Sequence, residues 1–142
     1  MFGLVITIAS LLYFAINAEY DVIECGDVVY GETTNMSRTA NYTFRIDDGN
    51  DYYVTFSSCN SSYDTYLYLY DEDGDLIRKC DDCGACGTRT VLKSYQQLSD
   101  GDYMLTIGGF YNDYGDYHIK IYCDQDTQPT ADPDSFNWDW WS

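Results

Sequence analysis

Polar and apolar residues alternate in short runs between Cys25 and Cys123, and clusters of Gly, Asp and Asn interrupt the runs about every ten residues. No segment of this region has the 3.6-residue period of an amphipathic helix. Short alternating segments separated by turn residues predict an all-β fold, an antiparallel sandwich of the jelly-roll type. The eight predicted strands are 28–30, 41–46, 51–57, 65–70, 76–79, 91–95, 102–107 and 115–123.

Alternation along a strand also assigns each side chain to a face, because successive side chains point to opposite sides of a sheet. The segment 63–70 sends Tyr63, Thr65, Leu67 and Leu69 into the core and leaves Asp64, Tyr66, Tyr68 and Tyr70 on the other face. The last strand sends Tyr117, Ile119 and Ile121 inward and His118, Lys120 and Tyr122 outward.

The outward tyrosines Tyr66, Tyr68 and Tyr70 form a stripe with about 7 Å between neighbours, since each strand residue rises about 3.4 Å. Flat rings at that spacing are suited to stacking on the sugar rings of a polysaccharide, so the stripe is a candidate carbohydrate-binding surface. The alternative is that a loop or glycan covers this face, or that the rings pair across strands with other tyrosines such as Tyr103.

The two ends of the chain differ from its middle. Residues 1–18 carry no charged side chain and contain the apolar run 4–16, which predicts a secretory signal peptide. The alternative is a membrane anchor, but a bilayer span needs about 20 apolar residues. Residues 19–124 then form one domain, and residues 125–142 form an acidic linker that ends in the aromatic cluster 136–141. This tail is a candidate for self-association or attachment.

The chain has a formal net charge of −17, with 24 acidic and seven basic residues. Such a surface repels nucleic acid and anionic lipid, both of which are gripped by clusters of Lys and Arg. Cations, neutral sugars and basic proteins remain as partners. Three sequons, at Asn35, Asn41 and Asn60, predict N-glycosylation.

The six cysteines, all of which follow the signal segment, predict three disulfides in an oxidising compartment. Zinc is the alternative, because Cys80, Cys83 and Cys86 repeat at CxxC spacing. The bracketing pair Cys25 and Cys123 should join the two ends of the domain. The preferred remaining pairs are Cys59–Cys80 and Cys83–Cys86.

Two groups of aspartates are candidate calcium ligands, because hard cations take several carboxylate oxygens. Asp71, Asp73 and Asp75 alternate around Gly74, although the alternative is a solvated hairpin turn. If the loop 80–86 folds back over the strand end, Asp81 and Asp82 could share an ion with Asp64. The alternative for Asp64 is that its carboxylate caps backbone amides.

The sequence offers no convincing catalytic group. His118 is the one histidine, lies on an outward strand face and has no Ser or Cys partner that can be placed beside it. Carboxylate pairs are too abundant in this composition to identify a glycosidase-type dyad. We therefore expect a protein that is not an enzyme.

Six short motifs occur in a recognisable order: Cys25-Gly26, Phe56-Ser57-Ser58-Cys59, Tyr63-Asp64-Thr65-Tyr66-Leu67, Cys80-Asp81-Asp82-Cys83-Gly84, Gly101-Asp102-Tyr103 and Gly115-Asp116-Tyr117. In this order the chain resembles the bacterial pre-peptidase C-terminal domain and its cysteine-bearing relatives in secreted protist proteins. The resemblance spans residues 23–124. It implies an eight- or nine-stranded jelly-roll-like sandwich of a kind usually appended to secreted enzymes, where it assists secretion, substrate adhesion or calcium-linked stability.

These observations predict a secreted, non-catalytic module that binds an extracellular glycan or protein surface, is stabilised by calcium and contributes to a cell coat or filament. The alternative is an accessory domain that serves a separate secreted hydrolase in secretion, substrate targeting or inhibition. A neighbouring gene for a protease or glycosidase would favour the alternative.

Overall fold

The computed structural model describes residues 20–84 and 86–125. A short 3-10 turn, Phe110–Asn112, precedes the last strand. The strands are β1 (Val22–Ile23), β2 (Val28–Glu32), β3 (Ala40–Ile46), β4 (Tyr53–Ser57), β5 (Thr65–Tyr70), β6 (Leu76–Asp81), β7 (Val91–Lys93), β8 (Gly101–Gly109) and β9 (Asp116–Asp124).

These strands form two sheets, named here sheet A and sheet B. Sheet A has the strand order β1-β3-β8-β5-β6, and sheet B has the order β2-β9-β4-β7. Every described pair is antiparallel except β1 with β3. The predicted all-β antiparallel sandwich is confirmed, and all eight predicted strands are present. Strand β1 was not predicted, because two residues are too few to show alternation.

The core lies between the sheets and is built from the inward positions of each strand. The predicted inward sets of β5 and β9 are confirmed, since all of their members are buried. Phe44 of sheet A meets Phe56 of sheet B edge-to-face, with 5.2 Å between ring centroids. The fully buried large side chains include Phe44, Phe56, Leu67, Leu69, Leu92, Leu105, Ile107, Ile119 and Ile121.

Three disulfides join the six cysteines, which excludes the zinc alternative. The predicted Cys25–Cys123 bond is confirmed, with 5.6 Å between the two α-carbons. The other two pairs are Cys59–Cys86 and Cys80–Cys83, so the preferred pairing Cys59–Cys80 with Cys83–Cys86 is wrong.

The pairing differs because β6 is two residues longer than predicted. Cys80 lies within this strand, opposite Leu67, and its side chain is buried. The chain then turns sharply at Asp82 and Gly84, which have φ angles of +54° and +104°. This turn returns Cys83 to within 5.8 Å of Cys80, measured between α-carbons, and leaves Cys86 to meet Cys59.

The predicted signal peptide, 1–18, and almost all of the predicted tail, 125–142, lie outside the described residues, so both stay predictions. Within 20–84 and 86–125, no helix has the length and apolar character required to cross a bilayer.

Candidate functional site

The outer face of sheet A carries the three tyrosines predicted to form a stripe on β5. The rings of Tyr66 and Tyr68 are 4.6 Å apart between centroids and 15° from parallel, and those of Tyr68 and Tyr70 are 6.3 Å apart and 11° from parallel. We call these residues the tyrosine ladder. The spacing is shorter than the predicted 7 Å because the rings lean against one another.

The lean changes what the ladder can offer to a ligand. One face of Tyr68 is covered by Tyr66, so the three rings do not form three separate flat platforms. Burial raises the pKa of the Tyr68 hydroxyl, with smaller contributions from the neighbouring tyrosines and Asp81, so this hydroxyl stays protonated at neutral pH. The ladder therefore presents hydroxyl groups as well as apolar ring surface.

The residues opposite Tyr66 and Tyr68 on the two neighbouring strands are small or polar, whereas Tyr70 lies opposite Met104 and Leu76. Tyr66 lies opposite Gly108 of β8 and Asp81 of β6. Tyr68 lies opposite Thr106 and Lys79. The suggested pairing with Tyr103 does not occur: Tyr103 packs against the core and donates a hydrogen bond to the Ser99 carbonyl at 2.8 Å.

Three carboxylates converge at one end of the ladder, and we call them the carboxylate cluster. Asp64 immediately precedes β5, Asp81 ends β6 opposite Tyr66, and Asp82 occupies the turn that follows. Oxygen atoms of all three lie within 4.8 Å of one another. The sequence-based expectation that Asp81 and Asp82 fold back onto Asp64 agrees with this geometry.

The Cys80–Cys83 disulfide closes a loop that contains Asp81 and Asp82, two of the three residues of the cluster. It holds them on a turn in which Asp82 has a left-handed backbone, a conformation that non-glycine residues adopt at a cost. This bond was not predicted, because Cys80 was expected to pair with Cys59.

The cluster is electrostatically unsatisfied. Oδ1 of Asp64 and Oδ1 of Asp81 are both buried and accept no hydrogen bond. Burial raises the pKa of Asp64, and the charges of Asp82 and Asp113 raise it further, against an opposing effect of Arg89. The pKa of Asp81 is raised by burial and then by Asp82 and Asp64. The alternative role of Asp64, capping backbone amides with its carboxylate, is not observed; instead, its own amide donates to Asp113 Oδ2 at 3.1 Å.

Such a set of oxygens suits a hard cation such as calcium, which favours carboxylate ligands at 2.3–2.6 Å and would relieve the repulsion between them. The second predicted group behaves differently. Asp71 Oδ1 accepts hydrogen bonds from the backbone amides of Asp73 and Asp75 at 3.0 and 2.9 Å. This geometry is that of the alternative, a hairpin turn. In the part of the chain that the structure describes, the one group of three carboxylates that converges is Asp64, Asp81 and Asp82.

His118 lies on the outer face of sheet B, where its ring stacks on that of Tyr30 with 4.4 Å between centroids. Burial lowers the pKa of this imidazole, and Lys120 lowers it further. The histidine is therefore mostly neutral at physiological pH and is partly covered by an aromatic ring.

The three sequons occupy different environments. Asn35 and Asn60 are exposed, whereas Asn41 lies in β3 and its Oδ1 accepts a hydrogen bond from Thr106 at 2.6 Å. Asn35 Oδ1 accepts a hydrogen bond from Arg38 at 2.6 Å. Glycosylation of any of the three stays a prediction.

No protein-family model matches this sequence, and a comparison with characterised proteins finds no match. Among solved structures, the chain is similar to the pre-peptidase C-terminal domain of a collagenase from Bacillus anthracis. The identity is 16%, the TM-score is 0.55, and the match covers 72% of this chain and 94% of that one. At this identity the likeness concerns the fold, and the chain has the β-sandwich fold of a pre-peptidase C-terminal domain.

Proposed function

We propose that this chain is a secreted, non-catalytic binding module that attaches to an extracellular glycan or protein surface through the outer face of sheet A and is stabilised by calcium. One observation carries the proposal: the tyrosine ladder ends directly at the carboxylate cluster. Tyr66 and Asp81 are cross-strand neighbours, so an ion at the cluster and a ligand on the ladder would touch.

The chemistry of this face supports a ligand rich in hydroxyl groups. Tyrosine rings supply apolar surface, their hydroxyls form hydrogen bonds, and a cation bound by carboxylates keeps positions open for further oxygen ligands. The formal charge of −17 opposes acidic ligands. Three disulfides and the apolar run 4–16, which predicts a signal peptide, support export to an oxidising compartment.

A second role, as an accessory module of a separate secreted hydrolase, is favoured by the fold. One solved structure that this chain resembles is named as a domain of a collagenase. In that role the same face would hold the substrate of the partner enzyme. Co-purification of a protease or glycosidase with the secreted protein would support it.

The calcium component is tested by the melting temperature in calcium, in magnesium and in chelator at matched ionic strength. We expect calcium to raise the melting temperature of the wild type by several degrees. Asp81→Asn should abolish this response, because it removes a ligand from the cluster. Asp73→Asn is the matched control in the β5–β6 turn and should retain it. An identical melt in calcium and chelator would defeat the calcium component.

The binding component is tested on a glycan array and on immobilised neutral polysaccharides, with calcium and with chelator. Wild type should bind a subset of neutral glycans more strongly in calcium. Tyr68→Ala should weaken that binding. Equal binding by wild type and Tyr68→Ala would show that the ladder is not the contact surface.

A further inference from the structure

The loop between β8 and β9 holds two consecutive non-glycine residues in the left-handed region of backbone space. Tyr111 has φ of 47° and ψ of 39°, and Asn112 has φ of 62°. Asparagine tolerates this conformation because of its short polar side chain, whereas a tyrosine in it is uncommon. A glycine at position 111 would avoid the steric cost.

Tyr111 contributes little to the fold in return. Its side chain is 89% exposed, and the one ring contact it makes in the described chain is an edge-to-face contact with Phe110, at 4.4 Å between centroids. Phe110 is itself 39% exposed. A bulky aromatic residue that is both solvent-exposed and conformationally costly is better explained by an interaction than by stability.

The surrounding structure holds the loop firmly in this strained form. The Asp113 amide donates to the Phe110 carbonyl at 2.9 Å. A Cβ atom at Gly109 would lie 2.0 Å from the Asp113 carbonyl oxygen, so the backbone closes tightly there. Arg38 donates to the Asn112 carbonyl oxygen and places its guanidinium 5.6 Å from the centroid of the Tyr114 ring.

The base of the loop is hydrogen-bonded to the backbone of Asp64, a residue of the carboxylate cluster. The Phe110 amide donates to the Asp64 carbonyl oxygen at 3.0 Å, and Asp113 Oδ2 accepts the Asp64 amide at 3.1 Å. The strained residue therefore lies one position from a backbone contact with the candidate cation ligand.

We propose that Tyr111 is a ligand-contact residue of this same site, held out by the loop to stack on the pyranose ring of a neutral polysaccharide. The inference rests on the proposed function, and it names the ligand class. The exposed ring of Tyr111 supplies the stacking surface. The loop is hydrogen-bonded to the backbone of Asp64, so the carboxylate cluster supplies the groups that accept hydrogen bonds from sugar hydroxyls. The contact surface consists of exposed rings and polar groups, which fits a sugar ring better than an apolar peptide side chain.

The experiment compares Tyr111→Gly with Asn112→Gly. Both changes relieve left-handed backbone, but only the first removes a ring. We expect Tyr111→Gly to raise the melting temperature by about 2 to 5 °C and Asn112→Gly to change it less. On cellulose, chitin, mannan and β-glucan columns, Tyr111→Gly should lose about tenfold in affinity for whichever polysaccharide retains the wild type. Asn112→Gly should be retained like the wild type.

Each other result overturns a defined part of the proposal. Unchanged retention of Tyr111→Gly, with retention lost in Tyr68→Ala, removes Tyr111 from the site and leaves the proposed function intact. A lower melting temperature for Tyr111→Gly would make Tyr111 a structural residue. Equal loss in both glycine variants would assign binding to loop shape and not to the ring. Wild type that is retained on none of the four columns defeats the polysaccharide assignment, while a calcium-dependent melt would still support the cation site.

Discussion

The outer faces of the two sheets are built from the same alternating pattern and differ in chemistry. On sheet A, three tyrosines stack along one strand and end at three converging carboxylates. On sheet B, Tyr30 of β2 stacks across strands on His118 of β9, and Lys120 follows on the same strand. Burial lowers the pKa of Lys93, the sheet-B residue opposite Thr55, to about 8.

Alternation along a strand decides which residues face outward, but it does not decide which ligands the outward face can bind. Buried, unpartnered carboxylate oxygens occur on sheet A, where a cation would relieve them. On sheet B, the rings of Tyr30 and His118 stack on each other, and the neighbouring Lys120 is basic. We therefore propose that a ligand binds on sheet A. The following changes test how far the two sheets differ.

The largest expected effect comes from the disulfide that joins the β1–β2 turn to β9. Cys25 and Cys123 are separated by 98 residues, so replacing both with Ala should lower the free energy of unfolding by about 4 to 5 kcal/mol. Removing Cys80–Cys83, which spans three positions beside the sheet A cluster, should cost about 2 kcal/mol in the same chain-entropy treatment. Denaturant unfolding of the two double variants measures both values. Equal losses would contradict the loop-length argument.

The next effect concerns one glycine in each sheet. A Cβ atom at Gly31 of β2 would lie 2.1 Å from the Tyr117 hydroxyl oxygen, which is itself 2.6 Å from the Tyr42 hydroxyl. Gly31→Ala should therefore destabilise the fold by about 2 to 3 kcal/mol, because a buried ring must move. At Gly108 of β8 the nearest atom would be 3.8 Å away, so Gly108→Ala is the matched control and should cost less than about 1 kcal/mol. Similar midpoints for both variants in urea would show that the core around Tyr117 adapts easily.

A smaller, pH-dependent effect should appear at the carboxylate cluster. The folded pKa values of Asp64 and Asp81 lie above the unfolded value of 3.8, so protonation of these two carboxyl groups stabilises the folded state. This stabilisation is complete below pH 3.8. It is lost as the pH rises through the folded values. In chelator, Asp81→Asn should therefore melt above the wild type at pH 7 and at the same temperature near pH 3.

In calcium at pH 7, the wild type should instead melt at a higher temperature than Asp81→Asn, since the wild type alone keeps all three ligands. A melting difference between them in chelator that does not change between pH 3 and pH 7 would refute the proposed repulsion. The Cys80→Ala/Cys83→Ala variant should also lose most of the calcium response, because the turn that carries Asp81 and Asp82 is then free to open.

The smallest effect on stability is expected from single tyrosines on the two faces. Tyr68→Ala and Tyr30→Ala each remove one stacked ring, so each should cost about 1 kcal/mol. Retention on a neutral polysaccharide should fall for Tyr68→Ala and stay unchanged for Tyr30→Ala. If retention falls for Tyr30→Ala and stays unchanged for Tyr68→Ala, the binding surface lies on sheet B.

Much of the site was predictable from local sequence. Alternation along 63–70 placed the ladder and Asp64 on one face. A loop 80–86 that folds back over the strand end was expected to bring Asp81 and Asp82 to Asp64. The ring spacing was not predictable, because side chains lean in a direction set by their cross-strand neighbours, here Gly108 and Thr106. The hydrogen bonds between the β8–β9 loop and Asp64 were not predicted either. The run Phe110-Tyr111-Asn112 of that loop, aromatic residues beside a turn former, was the available signal.

Local sequence was enough to predict the class of fold, eight of the nine described strands and the faces of the residues in 63–70 and 117–122, because these follow from a two-residue period along the backbone. Tertiary structure alone decided the strand order, the parallel β1 and the partners of Cys59 and Cys80. It also joined Asp64 to the β8–β9 loop, 46 residues away at Phe110. These are contacts between distant segments, and they depend on how the whole chain closes its core, which no local period encodes.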